Sequence, residues 1–136
     1  ETMAFMTVRP GKPYLKKDNV AMGDVTGVIG LTGAANGTIS ITFQEGCILA
    51  IVSNMLGEQM VRLNGDIADA VGELTNMVSG QARKELEIQG RVFKAAIPSV
   101  IMGRSHSIAH YTNGPRIAIP FSTDNGDFTI EVCFER

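Results

Sequence analysis

Hydrophobic and polar residues alternate or recur along the chain with two distinct periods. Residues 38–43 read Thr, Ile, Ser, Ile, Thr, Phe, the two-residue period of a half-buried strand. Residues 24–32 are Gly-rich but β-branched at Val25, Thr26, Val28 and Ile29, and predict a second strand. Between them lies Gly33-Ala34-Ala35-Asn36-Gly37, whose Asn-Gly pair tolerates the positive φ of a hairpin turn. The period then changes. Cys47, Ile48, Ile51, Val52 and Met55 are spaced as on one helical face, so residues 44–56 predict a helix stopped by Gly57. A longer helix is predicted over 67–89, with Asn64-Gly65 as the preceding turn, Asp66 as N-cap, Asp69 adding negative charge to the first turn, and Gly90 as terminator.

The rest reads as sheet. Residues 91–103 predict two short strands separated at Pro98. Residues 105–112 are a weaker strand candidate, and 116–121 with 127–135 form a second hairpin. Residues 1–6 read as the last turn of a helix, which Arg9-Pro10-Gly11-Lys12-Pro13 cannot continue. This order predicts an α+β fold: a largely antiparallel sheet with two long helices packed on one face, in a single domain spanning residues 1–136.

Composition narrows the function. The chain has 136 residues, 44% of them hydrophobic, enough for one core and too apolar for disorder. Twelve basic against fourteen acidic residues leave a net charge of −2, without the basic footprint of a nucleic-acid binder. The densest basic stretch, Arg9, Lys12, Lys16 and Lys17, reads as a solvated loop. Apolar runs fall far short of the ~20 residues of a bilayer span, and no secretory leader is visible, so no membrane role and a cytoplasmic location are expected. Cys47 and Cys133 sit among apolar residues and read as buried thiols in a reducing compartment. His106 and His110 would lie about 13 Å apart on a strand, too far to share a metal. No metal site of the chain's own is expected.

The chemistry concentrates on the longer helix. Ile67, Val71, Leu74 and Val78 fall on one narrow arc, widened by Ala70, Met77 and Ala82, and that face must be buried. Asp69, Glu73, Asn76 and Gly80 fall within about 60° of one another on the opposite side, and Arg83 and Glu87 prolong that stripe. Gly72 and Gly80 each disfavour a helix by roughly 1 kcal/mol relative to Ala, so small residues beside Glu73 and Asn76 suggest a close approach by something else.

Those residues carry a family resemblance. Asp69-x3-Glu73-x2-Asn76, with Pro98 some twenty residues later, resembles the signature of the CheC/CheX/FliY chemotaxis phosphatases, and residues 69–82 resemble the CheX helix almost throughout. Gly27-Val28-Ile29-Gly30-Leu31, Asn54-Met55-Leu56-Gly57 and Ile119-Pro120-Phe121 resemble flanking blocks of CheX-like chains. The first helix has no Glu-x2-Asn, so the resemblance is to the one-site CheX type.

The resemblance implies dephosphorylation of the phospho-aspartate of a CheY-like receiver domain. It implies Glu73 and Asn76 as catalytic residues, with Asn76 orienting the attacking water and Glu73 pairing with the receiver's lysine. It also implies partner contacts at Asp69, Ser79, Gly80 and Pro98. The chain would need no cofactor of its own, the divalent metal (Mg) belonging to the receiver. A homodimer through sheet edges is implied, as is an additional N-terminal helix that is absent or truncated here. Two alternatives stay open at this point: a non-catalytic receiver-binding module, and an adaptor like those of the flagellar switch.

Overall fold

The computed structural model describes residues 2–3, 6–7, 9–16, 23–33, 36–57, 59, 64–102 and 116–134. Among them the element order is β1 (Thr2–Met3), β2 (Met6–Thr7), β3 (Arg9–Pro10), β4 (Tyr14–Lys16), β5 (Val25–Gly33), β6 (Gly37–Phe43), α1 (Glu45–Leu56), α2 (Gly65–Ile88), β7 (Phe93–Ala95), β8 (Ser99–Met102), β9 (Arg116–Thr123) and β10 (Gly126–Phe134). Strands β3 to β10 build one sheet in the order β3-β9-β10-β6-β5-β7, with β4 also on β9 and β8 also on β5. Every pairing is antiparallel. The two helices lie against this sheet, and the expected α+β architecture holds.

The two predicted hairpins form its centre. β5 and β6 pair from Val25 opposite Phe43 to Leu31 opposite Gly37, and β9 and β10 pair across a loop at Asp124-Asn125. Val25, Ile41, Phe43 and Phe128 join Cys47, Ile48, Ile51, Val52, Ile67, Val71 and Leu74 in the main core between sheet and helices. Phe43 and Phe121 flank Phe128 at ring-centroid distances of 5.5 and 4.9 Å. A second cluster, Ile29, Leu31, Ile39 and Phe93, receives Ala82 and Leu86 from the far end of α2.

Strand β6 departs from expectation. Its alternation predicted half burial, yet all seven residues are buried, and Thr26 bonds Thr42 hydroxyl to hydroxyl at 2.8 Å. Its polar positions Thr38, Ser40 and Thr42 are thus buried as fully as Ile39, Ile41 and Phe43.

Two local features differ from expectation. The described residues of the expected helical turn are strands: Thr2 pairs with Thr7 and Met3 with Met6 in a short antiparallel ladder. A single helical turn forms too few hydrogen bonds to offset the order it demands, whereas paired strands share theirs. The N-cap of α2 is Asn64, not Asp66; its Oδ1 accepts from the Ile67 amide at 3.1 Å. A capping oxygen serves the amide two or three positions on, and Asp66 already lies inside the first turn. The remaining ends fall as predicted, with Gly57 at φ +69° closing α1 and Gly90 at φ +86° following α2. The strand candidate at 105–112, with His106 and His110, lies outside the described residues, as does Lys17.

α2 reaches its position by close approach. At Gly27 of β5, an added Cβ would overlap the Thr75 hydroxyl and come within 3.2 Å of Val71. That hydroxyl donates to the Val71 carbonyl at 2.7 Å, so Thr75 presents a methyl and a satisfied oxygen to the strand. Burial of Ile67, Val71, Leu74, Thr75 and Ser79 then fixes the helix's rotation and aims its other face outward.

Candidate functional site

On that outward face Asp69, Glu73 and Asn76 are exposed. Glu73 and Asn76 stand three residues apart, so their Cβ atoms are about 5–6 Å apart and both side chains project into one volume. Neither side chain makes a hydrogen bond or ion pair among the described residues. A carboxylate and a carboxamide thus sit uncommitted on a rigid helix. One offers negative charge; the other is at once donor and acceptor.

Gly80 lies one turn further along the same face. An added Cβ there would meet nothing closer than Arg83 Nη2 at 3.8 Å, so neither packing nor backbone requires glycine. Pro98 is half-buried in the break between β7 and β8. The register locates that break. Val100 opposes Gly27, which lies under Thr75, and Phe93 opposes Gly33 beside Ala82 and Leu86. Residues 96–98 therefore pass along the flank of α2 near the level of Asn76–Ser79.

Ser79 departs from the partner-facing role. It is completely buried, and its hydroxyl donates to the Asn76 carbonyl at 3.3 Å. Its place on the wheel, about 60° beyond Asn76, turns it toward the sheet. The structure thus gathers Asp69, Glu73, Asn76 and Gly80 on one surface, sets Pro98 at its side, and removes Ser79 from it.

Two apolar neighbours of the pair depart from the sequence reading: Met77, expected on the buried arc, faces outward, and Ile97 was not singled out. Met77 is 59% exposed about 40° from Glu73, and Ile97 is 88% exposed beside Pro98. They bracket the polar pair on opposite flanks. Met77 lies on the wheel between the buried arc and Glu73, so only the packing of α2 decides its side; Ile97 needed the β7–β8 break to be placed.

Among the described residues no three His, Cys, Asp or Glu side chains cluster as metal ligands, and no helix is long and apolar enough to cross a membrane. Cys47 and Cys133 are buried and form no disulfide. Burial pushes the Cys47 thiol from 9.0 up to about 11; the Thr123 hydroxyl opposes this and the Asp127 carboxylate adds to it. Such a thiol is a poor nucleophile at neutral pH.

A family model described as chemotaxis phosphatase CheX matches residues 25–122, which include the whole of α2 and the β7–β8 break. The chain belongs to the CheX family. It is 29% identical over 128 residues to the CheY-P phosphatase CheX of Thermotoga maritima, covering 91% of this chain and 81% of that protein. The crystal structure of a chemotaxis protein CheX from Desulfovibrio desulfuricans superposes with a TM-score of 0.89 at 53% identity, over 98% of this chain and 89% of that one. The CheX of Borrelia burgdorferi, crystallised as a CheX–CheY–BeF3–Mg2+ complex, shares the fold at 23% identity with a TM-score of 0.81, over 95% and 84% of the two chains.

Proposed function

We propose that this chain hydrolyses the phospho-aspartate of a CheY-like receiver, with Asn76 positioning the attacking water and Glu73 docking the receiver's lysine. The observation that carries this reading is the uncommitted Glu73–Asn76 pair, one turn apart on the exposed face of a helix whose other face is locked into the core. The CheY-P phosphatase of Thermotoga and the CheX–CheY complex of Borrelia support the choice of partner.

The reaction asks little of the enzyme. An acyl phosphate leaves as a carboxylate, which needs no proton donor, so neither a strong acid nor a nucleophile has to be supplied. What remains is to hold water in line with the breaking P–O bond in a site shielded from bulk solvent. The Asn76 oxygen accepts a hydrogen from that water and fixes where its lone pair points; as an amide it removes no proton at neutral pH. A single preorganised group of this kind contributes on the order of 10²–10³ in rate. Glu73, ionised, pairs with the receiver's lysine and holds it clear of the water. The metal that neutralises the phosphoryl charge belongs to the receiver, as Mg2+ accompanies CheY in the Borrelia complex. Asp69, Gly80 and Pro98 contribute the surrounding contact surface. This assignment places the protein in the cytoplasm with its receiver.

The test is the lifetime of phosphorylated receiver with and without this protein, and with Glu73→Ala. Accelerated decay that Glu73→Ala weakens together with binding supports the reading; an unchanged lifetime alongside detectable binding refutes it in favour of a non-catalytic binding module.

We also propose a homodimer through sheet edges. Leu15 of β4 stands opposite Ile117 of β9, the two are 66% and 42% exposed, and no strand among the described residues pairs on the other side of β4. Such an edge invites a second strand. Light scattering should give twice the mass of the chain, and Leu15→Asp should shift it toward one.

A further inference from the structure

We propose that Arg83 is a second anchoring residue of the same face, taking a carboxylate from the rim of the receiver's phosphorylation pocket. This rests on the receiver-phosphatase reading above. Arg83 follows Asn76 by two turns and lies within about 20° of it on the wheel. Its side chain folds back along the helix, so that Nη2 lies 3.8 Å from where a Cβ on Gly80 would stand. Helical side chains lean toward the N-terminus, and this one leans toward Asn76.

The guanidinium has no partner that accounts for it. Its Nε is buried and makes no hydrogen bond, and no carboxylate among the described residues pairs with it. Glu87, four residues on, lines the same crevice yet forms no ion pair with it, and Gln81 instead donates to Glu85 at 3.3 Å. The crevice, about 240 Å3, is lined by Gly80, Gln81, Arg83, Lys84, Glu87 and Phe93. A permanently charged fork whose Nε is shielded and left without a partner, with its Nη atoms open to the surface, is a receptor for a planar anion. Lys84 adds a second positive charge at its edge.

Position selects the source of the anion. The guanidinium over Gly80 is about 6 Å along the axis from the level of Asn76, at 1.5 Å per residue. A phosphoryl group held against the Asn76 water keeps its oxygens within about 3–3.5 Å of that water. Only a phosphoryl oxygen on the near side would come within reach of one arm of the fork, whereas a receiver side-chain carboxylate beside the pocket can meet both arms, and it is the group that fits better. The stripe then reads acid, amide, cation from Glu73 to Arg83, and fixes the receiver's orientation by opposite charges at its two ends.

Kinetics of receiver dephosphorylation by the wild type, R83Q and R83K, repeated across a salt series, test this. R83Q should raise KM about tenfold, change kcat less than twofold and flatten the salt dependence of KM, with R83K between them because it keeps charge but loses the fork. Wild-type KM in R83Q overturns the proposal, and a fall in kcat at unchanged KM overturns the carboxylate in favour of the phosphoryl group. A wild type without activity would instead strike the underlying reading. Calorimetric binding of beryllofluoride-treated receiver addresses Arg83 without turnover: R83Q should weaken Kd about tenfold, and an unchanged Kd overturns the assignment.

Discussion

Gly80→Ala separates what the fold needs from what a partner needs. Gly80 lies in the interior of α2, outside the left-handed φ region, and an added methyl would meet nothing nearer than Arg83 Nη2 at 3.8 Å. In a free helix, Ala at such a site gains about 1 kcal/mol over Gly. For a chain of 136 residues this corresponds to a rise of roughly 3–5 °C in melting temperature. If the receiver's surface closes onto this turn, the same methyl must be accommodated in a tight interface, at about 1–3 kcal/mol. The variant should therefore be more stable yet raise KM for phosphorylated receiver about tenfold. Gly72→Ala is the control. Its Cβ would rest 3.7 Å from Val100 Cγ2, on the flank facing β8, so it should stabilise comparably and leave kcat/KM unchanged. The measurements are calorimetric melting and the concentration dependence of receiver dephosphorylation. A Gly80→Ala protein that is stabilised and fully active would show that no partner approaches there. A destabilised one would refute the helix argument itself.

Gly27→Ala should act in the opposite direction. Its methyl overlaps the Thr75 hydroxyl, so α2 must shift off β5, lowering stability by about 1–3 kcal/mol in urea unfolding. The raised Cys47 thiol gives a pH signature. Above pH 9.0 the unfolded chain loses a proton that the native state keeps until about 11, so the contribution is complete below 9.0 and lost as the pH climbs toward 11. The stability difference between wild type and Cys47→Ala should narrow over that window; a constant difference would contradict the burial of the thiol.

The helices and hairpins were legible because their signals are local. The spacing of Cys47, Ile48, Ile51 and Val52, the αL glycine at 57 and the loop between β5 and β6 each report on a few neighbouring residues. The exposed stripe at Asp69, Glu73, Asn76 and Gly80 was legible for the same reason, since α2 is regular over 24 residues. What escaped depends on distant parts of the chain. Ser79 carries a polar side chain, and only the packing of α2 on the sheet shows that it is buried. The burial of Thr38, Ser40 and Thr42 on β6 is set by what covers the sheet and not by the strand's own alternation. Ile97 acquires a place beside the site only through the register of β7 and β8 on β5. The Asn64 cap was misplaced because Asn64, Asp66 and Asp69 are all competent N-terminal residues, and the first helical residue decides among them.

Water positioning rests above all on one carboxamide. Asn76→Ala removes it from an exposed position, where it makes no side-chain hydrogen bond among the described residues, so the fold should be unaffected. Phosphate release from phosphorylated receiver, measured beside binding of beryllofluoride-treated receiver, is the direct test. The acceleration should fall by about 10²–10³ while Kd stays within a few-fold of wild type. Undiminished phosphate release from the Asn76→Ala protein would contradict the water-positioning role.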